Sequence, residues 1–204
     1  MVSVVLRGFA LGFAVAASPG PIFFLCLRRT LVQGRLCGLV SGLGVATADG
    51  FYAAVATFGV AALIAVFVNG RPLALAGGVV LVALGARILL QRSWPAQAAV
   101  PMSRRGLAWA YASTLGLTIT NPATIVSFAA LATTLGLGAG GSPARPAAVA
   151  AAVLAGSASW WCALAFAASA LRARLTQGLA RGISVFSGAA IVSLGMVALY
   201  SAFR

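Results

Sequence analysis

Between its charges the chain divides into six apolar runs, at residues 3–27, 36–68, 73–90, 107–137, 147–171 and 183–203. A helix needs about 20 predominantly apolar residues to cross a bilayer core. The pattern therefore predicts an all-α, polytopic membrane protein with six transmembrane helices. The second and fourth runs are too long for one upright helix and too short for two, so each is expected to tilt, break or continue past the membrane. Arg7 followed by an apolar stretch and "AVAAS" also has the outline of a secretory signal. Cleavage there would leave five spans and discard the most informative motif in the chain, so the first run is read as a span.

Composition sharpens this picture. Of 204 residues, 62% are hydrophobic and 7% charged, and the mean hydropathy is +1.06. Soluble domains run at about 45–50% apolar and about 25% charged, so a soluble globular domain is excluded and a lipid bilayer is the expected surround. Fourteen basic residues, every one an arginine, face a single acid, Asp49, and the chain has no Glu, Lys or His. A net charge of +13 would suit nucleic acid. These arginines, however, stand in ones, twos and threes at the ends of apolar runs, where they mark the cytoplasmic flank and meet anionic headgroups. No nucleic-acid partner is expected. Cys26, Cys37 and Cys162 form no C-x-x-C pair, which leaves them as packing residues and argues against redox and metal sites. One carboxylate without His provides neither a serine triad nor paired acids, so neither an enzyme nor a cofactor is expected.

Orientation follows from the excess of arginine in cytoplasmic loops. Arg28, Arg29, Arg35, Arg92, Arg104, Arg105, Arg172, Arg174 and Arg181 follow the first, third and fifth runs, with Arg87 close by; Arg7, Arg71, Arg145 and Arg204 fall on the other side. Both termini are accordingly expected outside the cytoplasm. The longest polar connector, about residues 92–106, splits a single membrane domain of residues 1–204 into repeat one, about 1–91, and repeat two, about 107–204. Residues 138–146 form the other clear loop. Three spans per half make the second half enter the membrane in the opposite sense, which is the topology of two inverted three-helix repeats. "ASPGP" at residues 17–21 and "TNP" at residues 120–122 support the match, since Pro19 and Pro122 stand 103 residues apart. Interrupted helices at corresponding positions of two halves point to a transporter binding site.

Proline removes a helical N–H and clashes with the carbonyl four residues back, and it pushes the preceding residue out of helical geometry. The first span should unwind around residues 18–20, free the carbonyls of Val15 and Ala17, and restart with Pro21 at the first helical position. Asn121-Pro122 reads likewise, as a helix cap followed by a favoured first residue, with the carbonyl of Thr118 released. Such breaks survive in a membrane only when buried in protein or lining a wet cavity. Two half-helix N-termini meeting near the midplane suit a carboxylate, and freed carbonyls suit an ammonium, so the pair fits a small zwitterion such as an amino acid. The plainer reading is that both prolines merely kink packed helices. The candidate substrate-binding residues are Ser18, Pro19, Gly20, Pro21, Thr120, Asn121 and Pro122, with Tyr52.

Asp49 stands 14 residues beyond Arg35, which at about 1.5 Å per residue is roughly 20 Å into a core about 30 Å thick. A carboxylate at that depth is a functional candidate by default, and proton coupling is its natural task. The alternative is a structural Asp tied to Tyr52 or a neighbouring hydroxyl. Gly34, Gly38, Gly42, Ala46 and Gly50 recur every fourth residue and form a groove for close helix approach. This groove reads first as intramolecular packing, with a homo-oligomer interface as the sharper alternative. Trp94, Trp109 and Tyr111 suit the headgroup belt, while Trp160 and Trp161 sit mid-span, either lining a cavity or packed.

Two segments, "SPGPIFFLCLRRTLVQGRLCGLVSGLGVATADGFY" from Ser18 and "RRGLAWAYASTLGLTITNPATIVSF" from Arg104, resemble the LysE/RhtB amino-acid exporters of bacteria in order, spacing and chain size. The resemblance implies an inner-membrane carrier that exports amino acids or close derivatives in exchange for protons. It makes Pro19, Gly20, Pro21, Asp49, Asn121 and Pro122 the motif residues. Where the family often has a basic residue after Asn-Pro, this chain has Ala123 and Thr124. The competing classes are a cation exporter of the same superfamily, a non-transporting membrane scaffold subunit, and a redox carrier, the last disfavoured by the missing cysteine pair. One carboxylate without His is a poor divalent-cation site.

Overall fold

The computed structural model describes residues 2–57, 71–90, 103–121, 124, 127–128, 144–171 and 177–203. Among these residues there are seven helices and no strand: α1 (Val2–Ala17), α2 (Pro21–Gln33), α3 (Arg35–Thr57), α4 (Arg71–Leu90), α5 (Arg104–Ile119), α6 (Ala144–Leu171) and α7 (Gln177–Phe203). The first apolar run is broken where its prolines require. Helix α1 ends at Ala17, Gly20 caps α2 in an extended conformation, and Pro21 opens α2, where its missing N–H costs nothing. The two axes meet at 77°. Gly34 then turns the chain directly from α2 into α3 with φ of 96°, a left-handed conformation that favours glycine. By length and composition, α3 and α6 each suffice to cross a membrane, and the bent α1–α2 pair makes a third crossing if it is one span.

Helix α3 lies between α6 and α5, α1 packs along α6, α4 pairs with α7, and α2 rests against α3, α7 and α6. The α1–α6 approach depends on missing side chains. A Cβ on Gly12 would stand 2.1 Å from the Val153 carbonyl oxygen, and one on Gly156 would stand 2.0 Å from that of Phe9. The glycine stripe of α3 also serves packing within the chain, since Gly38 faces Thr30 of α2 while Gly42 and Gly50 face Trp161 and Leu154 of α6. Its expected first member, Gly34, belongs instead to the α2–α3 turn.

Polarity is distributed inside-out. Exposed side chains include Val79, Leu90, Phe186 and Val197, whereas Ser41, Thr114, Thr118 and Ser157 are buried. An apolar outer surface suits hydrocarbon, in which polar groups must find their partners within the protein.

Several expectations change. Arg28 and Arg29 were placed in a loop as orientation markers, but both lie buried within α2. Arg28 donates to Ser184 of α7 at 3.2 Å, and Arg29 donates to Ser41 of α3 and to the Ala110 carbonyl and Ser113 of α5 at 3.2, 2.9 and 2.8 Å. A guanidinium's five donors in a rigid fork reach several helices from one position, which explains why the cation turns inward. The loop expected at residues 138–146 gives way to helix by Ala144, and Arg181 lies inside α7. The Tyr111 hydroxyl donates to Thr47 of α3 at 3.0 Å. Trp109 is exposed, and Trp94 lies outside the described residues.

Candidate functional site

The break between α1 and α2 opens on a cavity of about 130 Å³. Ser18, Pro19, Gly20 and Pro21 line it at the break, and Ile22 and Phe23 continue the wall into α2. Asp49 and Val45 enter from α3, Thr118 and Asn121 from the end of α5, and Trp161 from α6, with Thr124 and Ser127 beyond Asn121. Both sequence breaks and the lone acid therefore reach one space, although they come from stretches separated by up to 100 residues of chain.

At the first break the Ser18 N–H turns back to the Val15 carbonyl at 3.2 Å, so that carbonyl is not freed as expected. The first ladder bond of α2 runs from the Phe24 N–H to the Gly20 carbonyl at 3.2 Å. The Ile22 and Phe23 amides precede it at the positive end of the helix, the end suited to an anionic group. At the second break α5 stops at Ile119 with Thr120 as its cap. The Asn121 N–H occupies the Thr118 carbonyl at 3.2 Å, so this carbonyl is not released either. The chain is helical again at Thr124, Ser127 and Phe128. Pro122 lies outside the described residues.

Two expected members stand apart from the cavity. The Thr120 hydroxyl folds back onto the Gly116 and Leu117 carbonyls at 2.9 and 3.3 Å. The Tyr52 hydroxyl donates to the Ile119 carbonyl, and its ring stacks on Phe128 with centroids 6.0 Å apart. Tyr52 thus braces the end of α5 from behind.

Asp49 is 2% exposed. Its Oδ2 accepts a hydrogen bond of 2.6 Å from the buried Ser157 hydroxyl of α6. The alternative of an Asp tied to a hydroxyl is thus met in its bonding, with Ser157 and not Tyr52 as partner, while the same Asp49 also faces the cavity. One turn after Ser157, Trp161 is buried and lines the cavity, whereas Trp160 sets its ring edge-on to Phe13 of α1 at 5.3 Å. The candidate site residues did not include Ser157, Thr118, Thr124 or Ser127. The available signal was a set of hydroxyls inside apolar runs, which in a membrane must find internal partners.

In comparisons with known proteins, residues 13–202 match the model of the LysE type translocator family. A stretch of 47 residues is 43% identical to the uncharacterized membrane protein YahN of Escherichia coli (strain K12), covering 23% of this chain and 21% of that relative. No solved structure matches the chain. With a family match over essentially its whole length, the protein belongs to the LysE type translocator family.

Proposed function

We propose that this transporter exports amino acids or close derivatives from the cytoplasm in exchange for protons, with its site in the cavity where the two helix breaks meet Asp49. The observation that carries this reading is the convergence itself. A helix start that favours a carboxylate and a carboxylate that favours an ammonium stand on one small cavity, together with Asn121 and an apolar wall of Val15, Ile22 and Val45. This is the complement of a zwitterion with an apolar side chain. The cation-exporter alternative is weaker, because a cavity with one carboxylate gives a divalent ion too few oxygen ligands.

The helix packing supports six spans arranged as two inverted repeats. Exchanging the halves maps the α1–α6 contact onto the α5–α3 contact and returns α3–α6 and α4–α7 to themselves. Export would then proceed by one half rocking on the other around the breaks. A bacterial inner membrane with both termini outside the cytoplasm is the reading supported by the remaining excess of arginine that follows the first, third and fifth apolar runs, at Arg35, Arg92, Arg104, Arg105, Arg172 and Arg174.

The test is efflux from proteoliposomes preloaded with a panel of neutral amino acids. Acidifying the outside should accelerate export, since protons then enter down their gradient. Asp49→Asn should abolish that acceleration while the protein remains folded. Normal transport by Asp49→Asn with unchanged pH dependence would sink the coupling reading.

A further inference from the structure

Asp49 is the sole carboxylic side chain of the chain, and one of its two oxygens already accepts a hydrogen bond. Ser157 donates to Oδ2 at 2.6 Å from a position that is itself fully buried. Ser157 is not part of the cavity wall, whereas Asp49 is, so Oδ1 is the oxygen that Asp49 has left to offer there. Four other titratable groups on the surrounding helices bond to partners other than Asp49. Arg29 of α2 is held by Ser41, Ala110 and Ser113, and Arg28 is bonded to Ser184. Tyr52 of α3 is held by Ile119, and Tyr111 of α5 by Thr47. Cys26 of α2 and Cys162 of α6 are free thiols and carry no hydrogen bond to Asp49.

We propose that Ser157 is a positioning residue for the coupling group: by occupying Oδ2 it leaves Asp49 a single oxygen, Oδ1, for both the proton and the ammonium group of the substrate, so that each excludes the other. The inference rests on the reading of Asp49 as the coupling residue. It sharpens exchange: protonation already neutralises Asp49 and removes its ionic attraction for an ammonium, and with Oδ2 bonded to Ser157 the neutral acid keeps no uncommitted oxygen to accept from that ammonium. The Ser157 hydroxyl stays a donor in both states. It bonds a carboxylate oxygen when Asp49 is charged and the carbonyl oxygen of the acid when Oδ1 carries the proton. Trp161, one turn along α6, extends the same helix face to the cavity wall, so the half that holds Oδ2 also bounds the substrate space.

The composition of the chain makes this measurable. With no other Asp or Glu, the protonated-carboxyl band in the infrared spectrum of the lipid-reconstituted protein belongs to Asp49 and the C-terminus alone, and the Asp49→Asn spectrum separates the two. In Ser157→Ala the Asp49 band should change frequency, and its titration midpoint should move by about 0.5 to 1 pH unit, the size set by one hydrogen bond. Ser157→Thr, which keeps the hydroxyl, should follow the wild type. In efflux assays with the same amino-acid panel, Ser157→Ala should export substrate with its pH profile displaced and with fewer protons taken up per substrate released. Ser157→Cys, close in volume but a weak donor, should behave as Ser157→Ala and guards against a packing effect. If the Ser157→Ala band and midpoint coincide with the wild type, the positioning role is wrong even though Asp49→Asn abolishes coupling. If efflux by Asp49→Asn keeps its pH dependence, the coupling reading itself fails, and this inference falls with it.

Discussion

Arg29→Ala is the most informative perturbation of the scaffold, because it separates two readings of one charge. As a loop marker the arginine would be replaceable at little cost to folding. The structure instead buries it at 7% exposure and gives its two terminal nitrogens three acceptors on α3 and α5. Side-chain bonds between membrane helices average about 0.6 kcal/mol, so three of them give about 2 kcal/mol. At the lower figure for bonds to a charged group, about 1.5 kcal/mol each, they give about 4.5. Two of the three acceptors keep other bonds, the Ala110 carbonyl with the Thr114 hydroxyl at 3.0 Å and Ser113 with the Trp109 carbonyl at 2.6 Å. For a chain of this size, about 2–4 °C per kcal/mol turns that range into a melting point lowered by about 4–18 °C. The assay is thermal unfolding of the purified protein in a mild detergent. Arg29→Lys should recover only part of the loss, since one ammonium cannot reproduce a planar fork across three acceptors. An Arg29→Ala protein that melts within about 2 °C of the wild type, below the shift expected from even one kcal/mol, would refute the argument.

Two further substitutions probe packing with opposite signs. Gly156→Ala places a methyl 2.0 Å from the Phe9 carbonyl and should lower stability by about 1–3 kcal/mol, whereas Gly116→Ala meets nothing within 4 Å and should raise it by about 0.5–1 kcal/mol; thermal melts of both variants check the pair. Asn121→Ala should raise the substrate concentration for half-maximal efflux by about tenfold, the worth of one hydrogen bond near 1.4 kcal/mol, with little change in melting point. Equal loss of transport and stability would assign Asn121 to the fold alone.

What the sequence made readable was set by covalent and local effects. The break at residues 18–20 follows from two prolines and from nothing distant, and α2 begins at Pro21 as expected. The rotation of each helix about its axis was not readable. An arginine pair at the end of an apolar run carries the same local signal whether it faces headgroups or, as Arg28 and Arg29 do, the interior. The four-residue glycine spacing is likewise indifferent to whether its first member starts the helix or, as Gly34 does, turns the chain. The carbonyls of Val15 and Thr118 were expected free because proline cannot bond them, yet each takes an N–H from three residues on. The reason is that a chain leaving a helix tightens toward a three-residue turn before it departs.

The same division runs through the site. Asp49 drew attention by being alone, whereas Ser157 had nothing to single it out among the serines of α6. Ser159 and Ser169 bond back to the Ala155 and Phe166 carbonyls of their own helix at 2.7 and 2.9 Å, and only Ser157 of the three reaches across, to a residue 108 positions away. That reach belongs to a wider pattern. Arg28 to Ser184, Arg29 to Ala110 and Ser113, Asp49 to Ser157, Tyr52 to Ile119, Tyr111 to Thr47, and Thr114 to the Ser41 carbonyl at 2.8 Å all join the first half of the chain to the second. Lipid supplies no hydrophobic force to press two apolar halves together, so close packing at the glycines and polar bonds of about 0.6 kcal/mol each hold them. Bonds that weak can be exchanged one at a time, which a carrier whose halves rock requires. On this argument Arg29, with three acceptors, limits the motion most. Its loss should therefore shift the balance between inward- and outward-open states further than the loss of any single neutral bond, and the native thiol of Cys26, buried one turn earlier on α2, reports that shift as faster labelling by a membrane-impermeant maleimide.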